Sequence, residues 1–323
     1  MALTAAPRVR LAVLPTPLVD APRLAEALGV ASLRVKRDDL TGFAVAGNKA
    51  RQLELLVAEA RAASATTLLT GGTAGSNFVQ GAAAAAAWAG LRCELVLAGR
   101  PLPPTAHPNL AAALAWGAHV RWTGDPDRTS VDAALASRAA ALLADGDQPH
   151  VVARGGATAT GATGYRLAVD ELLTQLADGP GERAAPVVVV ATGSGGTLAG
   201  LVAGAVASGH PCQVVGASVS RPPDEVAARV LALAQQVAVR RGEPGPSAAD
   251  VCVVDARGPG HGMASPEGNT AAATALRTAG LVLDPVYTAK ALAALPGIAG
   301  DKPAIFWHTG GLLDAVAQLL EAR

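Results

Sequence analysis

The segment from residue 192 to residue 197, Thr-Gly-Ser-Gly-Gly-Thr, has the residue types that bind a phosphate group. It follows a run of valines at 187–190 and precedes a helical pattern, so it lies where a strand leads into a helix. Glycines there let backbone N–H groups approach an anion, and a helix N-terminus favours negative charge. The segment lacks the lysine of a P-loop and the spacing of a dinucleotide-binding loop. We therefore expect the phosphate of a smaller or differently placed ligand, with a plain glycine-rich turn as the alternative.

A second loop of this kind spans residues 73–77, Thr-Ala-Gly-Ser-Asn, between a β-rich run and a long alanine-rich helix. Two anion-binding loops suit a ligand with two anionic ends, such as a cofactor phosphate and a substrate carboxylate. A turn without a ligand is again the alternative.

The chain has four lysines, and Lys49 alone lies in a turn, Gly-Asn-Lys, that opens a helix. A side chain in such a turn can project into a cleft. Pyridoxal 5'-phosphate (PLP) requires one lysine for its covalent attachment to an enzyme. Lys49 is therefore the candidate for that lysine. We expect Lys36 in a strand, Lys290 on a helix and Lys302 in a polar turn to be ordinary solvated lysines.

The elements that must position these residues alternate between strands and helices. Apolar runs predict strands at 32–37, 66–69, 93–97, 119–122, 151–152, 187–190, 214–218, 251–255 and 305–308. Helical patterns occupy residues 49–63, 108–116 and 165–175, and a further alanine-rich helical segment ends near residue 89. Asn48 is a candidate N-cap of the helix at 49–63. This βα repeat predicts an α/β fold with parallel sheets that carry helices on both faces.

Composition excludes several classes of protein. A length of 323 residues suggests two domains, and a formal net charge of zero gives no case for nucleic acid or acidic lipid. The apolar half of the residues is mostly alanine, and no unbroken apolar stretch is long enough to span a membrane. The three cysteines and six histidines lack metal-ligand spacing, so we predict no metal site. Isolated thiols without a CxxC pair are typical of a cytoplasmic protein.

Several motifs resemble, in order, those of the D-cysteine desulfhydrase and 1-aminocyclopropane-1-carboxylate (ACC) deaminase family. They are Leu-Pro-Thr-Pro-Leu at 14–18, Arg-Asp-Asp-Leu-Thr at 37–41, Gly-Asn-Lys-Ala-Arg-Gln-Leu-Glu at 47–54, Ser-Asn at 76–77, Gly-Gly at 155–156 with Gly161, Gly164 and Tyr165, the loop 192–197, Leu-Asp-Pro-Val-Tyr-Thr-Ala-Lys at 283–290, and His-Thr-Gly-Gly at 308–311. The resemblance implies PLP fold type II. It also implies a large domain of residues 1–48 and 164–323, a small inserted domain of residues 49–163, and a homodimer.

The same resemblance assigns roles to the site residues. Lys49 would bind the cofactor covalently and later move the proton on the substrate Cα. Asn77 would bind the phenolic oxygen of the cofactor, and Thr309 would lie at its pyridine nitrogen. Ser76 would hold the substrate carboxylate or move a proton, and Tyr287 would face the leaving group. The full set is Lys49, Ser76 and Tyr287 for catalysis; Lys49, Asn77, Thr192, Gly193, Ser194, Gly195, Gly196, Thr197 and Thr309 for the cofactor; and Thr73, Gly75, Ser76, Phe78, His261 and Tyr287 for the substrate.

Three positions depart from the family pattern, and we expect all three to contact the substrate. Phe78 and His261 stand where the family has histidine and tyrosine, and Gln52 stands where it has lysine. The ACC deaminase pattern also has an acidic residue where this chain has Thr288. With only the Thr309 hydroxyl at the pyridine nitrogen, that nitrogen would be unprotonated, which favours β-elimination over opening of a cyclopropane ring.

The expected function is elimination from a small β-substituted amino acid, which yields a 2-oxo acid and ammonia. One alternative is ring opening as in ACC deaminase. Another is a specialised lyase that acts on a larger or non-sulfur amino acid, as the changes at Phe78 and His261 would permit. A PLP-binding carrier or sensor without turnover is the alternative from a different class, and the presence of Lys49, Ser76 and Tyr287 disfavours it.

Overall fold

The structure is a computed structural model that describes residues 7–178 and 184–321. Within these ranges, six strands form the larger sheet in the order β1-β2-β10-β7-β8-β9. They are β1 (Leu18–Asp20), β2 (Leu33–Arg37), β7 (Val187–Thr192), β8 (Gln213–Ser218), β9 (Cys252–Asp255) and β10 (Ala304–His308). β1 runs antiparallel to β2, and every other neighbouring pair is parallel.

The smaller sheet has the order β5-β4-β3-β6 and is parallel throughout. Its strands are β3 (Thr67–Gly72), β4 (Arg92–Leu97), β5 (His119–Trp122) and β6 (Pro149–Val151). All four come from the middle of the chain, whereas the larger sheet is built from segments before and after it. This arrangement is compatible with an inserted small domain, whose boundaries at residues 49 and 163 stay a prediction.

Helices connect the strands. They are α1 (Pro22–Leu28), α2 (Lys49–Ala62), α3 (Asn77–Ala89), α4 (Pro108–Ala115), α5 (Ser130–Ala144), α6 (Ala159–Ala177), α7 (Gly196–Ala207), α8 (Pro223–Arg241), α9 (Pro266–Ala279), α10 (Thr288–Ala299) and α11 (Leu312–Glu321). Within the described ranges, none combines the length and the apolar character that crossing a membrane requires.

The valines of β7 show why helices cover both faces of the larger sheet. Successive side chains on a strand point to opposite faces. Val187 and Val189 belong to the core that contains α1, α9 and α10. Val188 and Val190 belong to the core that contains α6, α7 and α8. The smaller sheet likewise packs α2, α3 and α4 on one face and α5 on the other. The predicted α/β fold with doubly covered parallel sheets is therefore confirmed.

The prediction of solvated lysines is wrong at two of three positions. Lys36 is fully buried, and its Nζ lies 2.5 Å from the Glu171 carboxylate. Lys290 is also buried, and its Nζ donates to the carbonyl oxygens of Arg257 and Gly260 at 2.6 and 2.8 Å. Lys302 alone of the three is exposed. Both buried amines have partners that are distant in sequence, so short-range patterns could not reveal them.

Candidate active site

A cleft of about 1000 Å³, part of it open to solvent, lies where α2, the β3–α3 loop and the carboxyl ends of β7 and β10 meet. Crevices beyond the carboxyl ends of parallel strands are where ligands bind in α/β folds. Thirteen of the predicted site residues line it: Lys49, Thr73, Ser76, Asn77, Phe78, Thr192, Gly193, Ser194, Gly195, Thr197, His261, Tyr287 and Thr309. The predicted residues Gly75 and Gly196 do not contribute to its wall.

Lys49 is the first residue of α2, and few polar atoms lie near its amine. Its Nζ lies 3.5 Å from the carbonyl oxygen of Gly155, and no other hydrogen bond or ion pair joins it to the described residues. Burial lowers the pKa of Lys49 to about 8. A larger share of this amine is therefore neutral near pH 7 than for an exposed lysine, and only a neutral amine is nucleophilic.

A buried ionic cluster fixes the first turn of α2. Asp38, fully buried at the end of β2, accepts hydrogen bonds from Arg51 at 3.0 and 2.9 Å. It also accepts from the Tyr165 hydroxyl at 2.6 Å and from the Trp307 indole at 2.8 Å. Burial alone would raise the pKa of Asp38, but the Arg51 guanidinium lowers the pKa by more than burial raises it. The carboxylate therefore stays ionised. α2 is thereby tied to β2, β10 and α6.

The turn before Lys49 passes close to the end of β10. The Asn48 N–H donates to the Thr309 carbonyl oxygen at 2.9 Å. A Cβ at Gly47, which has a φ of +54°, would lie 2.4 Å from that same oxygen, so only glycine fits. The sequence predicted Asn48 as the N-cap of α2, but its side chain makes no capping hydrogen bond and instead donates to the Thr197 hydroxyl at 3.0 Å.

The loop 192–197 joins β7 to α7 as predicted. Gly195 has a φ of +94° and immediately precedes the first turn of α7. A Cβ on Gly193 would come within 3.0 Å of the Tyr287 ring, so this residue must be small. The N–H groups in the first turn of a helix have no intrahelical acceptor. The loop can therefore offer unpaired backbone donors to an anion.

Gln52 has an unpaired amide next to this loop. It is fully buried, and neither its Nε2 nor its Oε1 has a hydrogen-bond partner in the described part of the protein. The Nε2 atom lies 3.1 Å from the position of a Cβ on Gly196. The prediction that Gln52 contacts the substrate is not supported, because Gln52 does not line the cleft. A buried donor without a partner is costly, and an anion in the loop would satisfy it.

The second loop also presents unpaired donors. Ser76 precedes α3 with an extended backbone, and its hydroxyl makes no capping bond. The side chains of Ser76 and Asn77 have no hydrogen bond to any residue that the structure describes. Gly75 instead faces away from the cleft, where a Cβ would lie 2.6 Å from the His107 ring and where Asn109 donates to its carbonyl at 3.3 Å.

Tyr287 and His261 form an edge-to-face pair with ring centroids 6.2 Å apart. Burial, reinforced by the charge of Asp284, raises the pKa of Tyr287 to about 12. Burial also lowers the pKa of His261 to about 4, and the charges of Arg128, Lys290 and Arg221 add to this effect. Both rings are therefore neutral at pH 7.

Asp284 holds Tyr287 at the start of α10. Its carboxylate accepts from the backbone N–H groups of Val286, Tyr287 and Thr288 at 3.0, 2.7 and 3.0 Å. The Thr288 hydroxyl also donates to Asp284, at 2.6 Å, and Thr288 is fully buried. At the position that carries an acidic residue in the ACC deaminase pattern, this chain therefore has a hydroxyl that is bound to Asp284. Gly311 must be glycine, because a Cβ there would lie 2.6 Å from this carboxylate.

Sequence reasoning missed the basic residues of the cleft. Within the described residues, four arginines line it: Arg128, Arg154, Arg221 and Arg229. Three of them lie in loops that follow the carboxyl ends of β5, β6 and β8. β5 and β6 belong to the smaller sheet and β8 to the larger, and the carboxyl ends of the parallel strands in each sheet lie along one edge. The predicted strands therefore already indicated which loops could contribute to a ligand site. No group of three or more His, Cys, Asp or Glu residues within 7–178 and 184–321 could hold a metal ion.

Comparison with known proteins gives consistent matches over nearly the whole chain. A family model described as "Pyridoxal-phosphate dependent enzyme" matches residues 9–310. Proteins named D-cysteine desulfhydrase from Salmonella choleraesuis (strain SC-B67) and Salmonella typhi are each 38% identical over 319 residues, which covers 96% of this chain and 95% of the relative.

Two solved structures are similar in backbone. One, described as an ACC deaminase homologue, has a TM-score of 0.88 and 30% identity, and the match covers 99% of this chain and 98% of that one. The other, a fungal L-serine ammonia-lyase from Rhizomucor miehei, has a TM-score of 0.65 and 17% identity over 96% of this chain and 98% of that one. The second likeness concerns the fold alone.

Proposed function

Because the chain belongs to the family of pyridoxal-phosphate dependent enzymes, as its motifs predicted, we propose that it catalyses elimination from a small β-substituted amino acid. The products would be a 2-oxo acid, ammonia and the β-substituent. The observation that carries this proposal is the buried amine of Lys49, with a pKa lowered to about 8, at the wall of a cleft between two anion-binding loops.

The residues present fit PLP. The cofactor has an aldehyde, which Lys49 can bind covalently, and a phosphate, which the loop 192–197 can bind. The unpaired Gln52 amide and the Gly195 turn support a phosphate in that loop. Thr309 and Asn77 line the cleft and are free to bind other cofactor atoms. When bound, PLP disperses negative charge that develops at the substrate Cα.

Lys49 would act as the base. In the elimination, the Cα–H bond breaks and the proton moves to the Lys49 Nζ. The electron pair of that bond forms the Cα–Cβ double bond, and the β-substituent leaves with the electrons of its bond to Cβ. The 2-aminoacrylate that is released tautomerises to an imine, and water hydrolyses it to the 2-oxo acid and ammonia. A lysine with a pKa near 8 is suited to accept a proton at neutral pH.

The other predicted residues would orient the substrate. The backbone of the loop 73–77 and the Ser76 hydroxyl would bind the α-carboxylate at the start of α3, where helix N–H groups lack partners. Tyr287 would face the β-substituent. With a pKa of about 12, its phenol stays protonated and can donate a hydrogen bond to the departing group.

We also propose a homodimer in the cytoplasm. α11 exposes Leu312, Val316, Leu319 and Leu320, which follow the i, i+4, i+7, i+8 spacing of a single helical face. An apolar face of this kind is typical of an interface between subunits. Light scattering coupled to size exclusion would test the dimer, and a monomer at micromolar concentration would refute it.

A screen of D- and L-amino acids with the PLP-loaded protein tests the activity. Release of 2-oxo acid from a β-substituted amino acid is the expected result. Cofactor absorbance should change on addition of the same compounds. If the absorbance responds but no amino acid yields a 2-oxo acid, the protein is a PLP-binding carrier or sensor and the proposal is wrong.

A further inference from the structure

The arginines of the cleft have no role in the proposed elimination. Arg154 makes two parallel hydrogen bonds to the Asp132 carboxylate, at 2.7 and 2.6 Å, and Arg221 lies 2.8 Å from Glu225. Arg229 donates to a carbonyl oxygen of the phosphate loop, that of Ser194, at 3.1 Å.

Arg128 has no partner. Its guanidinium makes neither a hydrogen bond nor an ion pair with any residue that the structure describes, although it is only partly exposed. Burial lowers the pKa of Arg128, and the charges of Arg221 and Arg154 lower it further. Arg229 is affected in the same way by burial and by Arg221 and Arg154. The guanidinium groups therefore repel one another. Of the four, Arg154 is paired with Asp132 and Arg221 with Glu225, so positive charge is in excess.

Asp284, a carboxylate that lines the cleft, accepts from N–H groups at the start of α10 and pairs with none of these arginines. The excess of positive charge is therefore unfavourable unless a further anion enters the cleft. Positive side chains that repel one another while partly desolvated are destabilising on their own. An anion placed between them would be held strongly, since guanidinium groups bind oxyanions through paired hydrogen bonds. The loops at 73–77 and 192–197 already account for an α-carboxylate and a phosphate, so a third anion is needed to match the arginines.

The position of Arg128 indicates which part of the substrate carries that anion. Arg128 and Arg221 both act electrostatically on His261, and Arg128 also acts on Tyr287. The His261 Nδ1 is buried without a hydrogen-bond partner in the described part of the chain. Tyr287 is the residue proposed to face the β-substituent. Arg128 also lines the cleft together with these two paired rings, so we place the unpaired arginine on the side of the leaving group.

We propose that the β-substituent of the substrate is an oxyanion, a sulfonate or a phosphate, and that Arg128 selects it. This inference rests on the proposed elimination. A substituent that is already charged gains one further negative charge when it leaves with the electrons of the Cβ–S or Cβ–O bond, as sulfite or phosphate. A guanidinium stabilises that charge without transferring a proton, because it stays protonated throughout the accessible pH range.

Binding can be tested with two ligands of nearly equal shape and different charge. The absorbance of the PLP-loaded enzyme is titrated with aspartate and with asparagine, each as both enantiomers; neither has a group that can leave. Aspartate should bind at least about tenfold more tightly, which is the effect of one charge-assisted hydrogen bond. Arg128→Gln should remove most of that preference and leave asparagine affinity unchanged. Arg100→Gln, an exposed arginine outside the cleft, is the control.

Turnover measurements distinguish a sulfonate from a phosphate as the β-substituent. They also test the proposed elimination separately from the proposed selection of an anion. The substrates are 2-amino-3-sulfopropanoate, O-phosphoserine and neutral β-chloroalanine. Release of 2-oxo acid should be faster from one of the anionic pair. Turnover of β-chloroalanine with no preference for either anion would overturn the inference and leave the elimination intact. No 2-oxo acid from any of the three would refute the elimination itself.

The binding experiment has two further outcomes that would overturn the inference. Equal loss of aspartate and asparagine affinity in Arg128→Gln would assign the arginine to the α-carboxylate. Weaker retention of the cofactor in this variant would assign the arginine to the cofactor phosphate.

Discussion

The Lys49 Nζ lies 3.5 Å from the Gly155 carbonyl oxygen, and that carbonyl is the one polar atom within hydrogen-bonding distance among the described residues. A carbonyl oxygen interacts with an ammonium more weakly than a carboxylate does. Burial therefore dominates, and the pKa of the amine falls to about 8. The geometry favours a reactive amine over a stable ion pair.

The pH dependence of cofactor attachment should report this lowered pKa. Only the neutral amine attacks an aldehyde, so the attachment rate of PLP to the apoprotein should rise about tenfold per pH unit below pH 8 and level off above it. Stopped-flow absorbance measures the rate, and Nα-acetyl-lysine is the control with an ordinary amine. A profile that still rises steeply at pH 10 would show that the Lys49 pKa is not lowered.

Replacement of the lysine should abolish attachment without unfolding the protein. In Lys49→Ala, borohydride should no longer fix the cofactor to the chain, and turnover should cease. Circular dichroism should be unchanged, because this side chain makes one weak hydrogen bond. Lys302→Ala, at an exposed lysine, should retain both attachment and turnover. A reducible linkage that persisted in Lys49→Ala would disprove the assignment.

A bulky residue in the phosphate loop should weaken cofactor binding more than folding. Gly195→Leu places a side chain at a φ of +94°, next to backbone donors for the phosphate. Gly242→Leu is a matched control, because it has a φ of +63° and open space around it. The left-handed backbone should cost each variant about 1–2 kcal/mol of stability. Equal PLP affinity in the two variants would refute the phosphate site.

Loss of the Asp38 carboxylate should destabilise the whole molecule. Asp38→Ala leaves Arg51 and three buried donors without this acceptor, which should cost about 3–5 kcal/mol in urea unfolding at pH 7. Burial raises the pKa of Asp38, but Arg51 lowers it more. The difference from wild type should therefore be complete above the ordinary value of 3.8 and shrink as the pH falls further. Asp255→Ala, which breaks an exposed pair with Arg257, should change little.

Phe78 and His261 should set substrate choice. Both line the cleft, and both replace residues that are polar in the related family. The wild type should be a poor enzyme for D-cysteine and for ACC, because Phe78 offers no hydrogen bond and the His261 ring is shorter than the tyrosine of the family. The double change Phe78→His, His261→Tyr should raise 2-oxo acid formation from one of them. Turnover of β-chloroalanine by both proteins is the control for activity. Efficient use of D-cysteine by the wild type would contradict this account.

The sequence predicted the part of the site that lies in short continuous segments. The loop 192–197 carries glycines and hydroxyls next to a helix, and the turn at 47–49 carries a glycine and a lysine next to another. Residues of both segments line the cleft. The interior of the fold was predictable for the same reason, since runs such as that in β7 mark buried strands.

Features that depend on distant partners escaped prediction. Lys36 is buried because Glu171, on another helix, accepts its charge, and no local pattern encodes that pairing. Gln52 was expected to meet the substrate, yet it lies beside Gly196 and does not line the cleft. The arginines of the cleft come together because loops from several separate strands converge. Their combined positive charge is therefore not encoded in any single segment of the sequence.

The position of β10 between β2 and β7 bears on how the chain folds during its synthesis. β1 and β2 pair with each other, but among the described strands only β10 connects them to the remainder of the larger sheet. β10 is also the last of these strands to leave the ribosome. The segment that carries Lys49 therefore emerges early in synthesis. One edge of β2 stays unpaired until residues 304–308 have been synthesised. Open strand edges attract other chains, so the nascent protein should depend on chaperones for its yield.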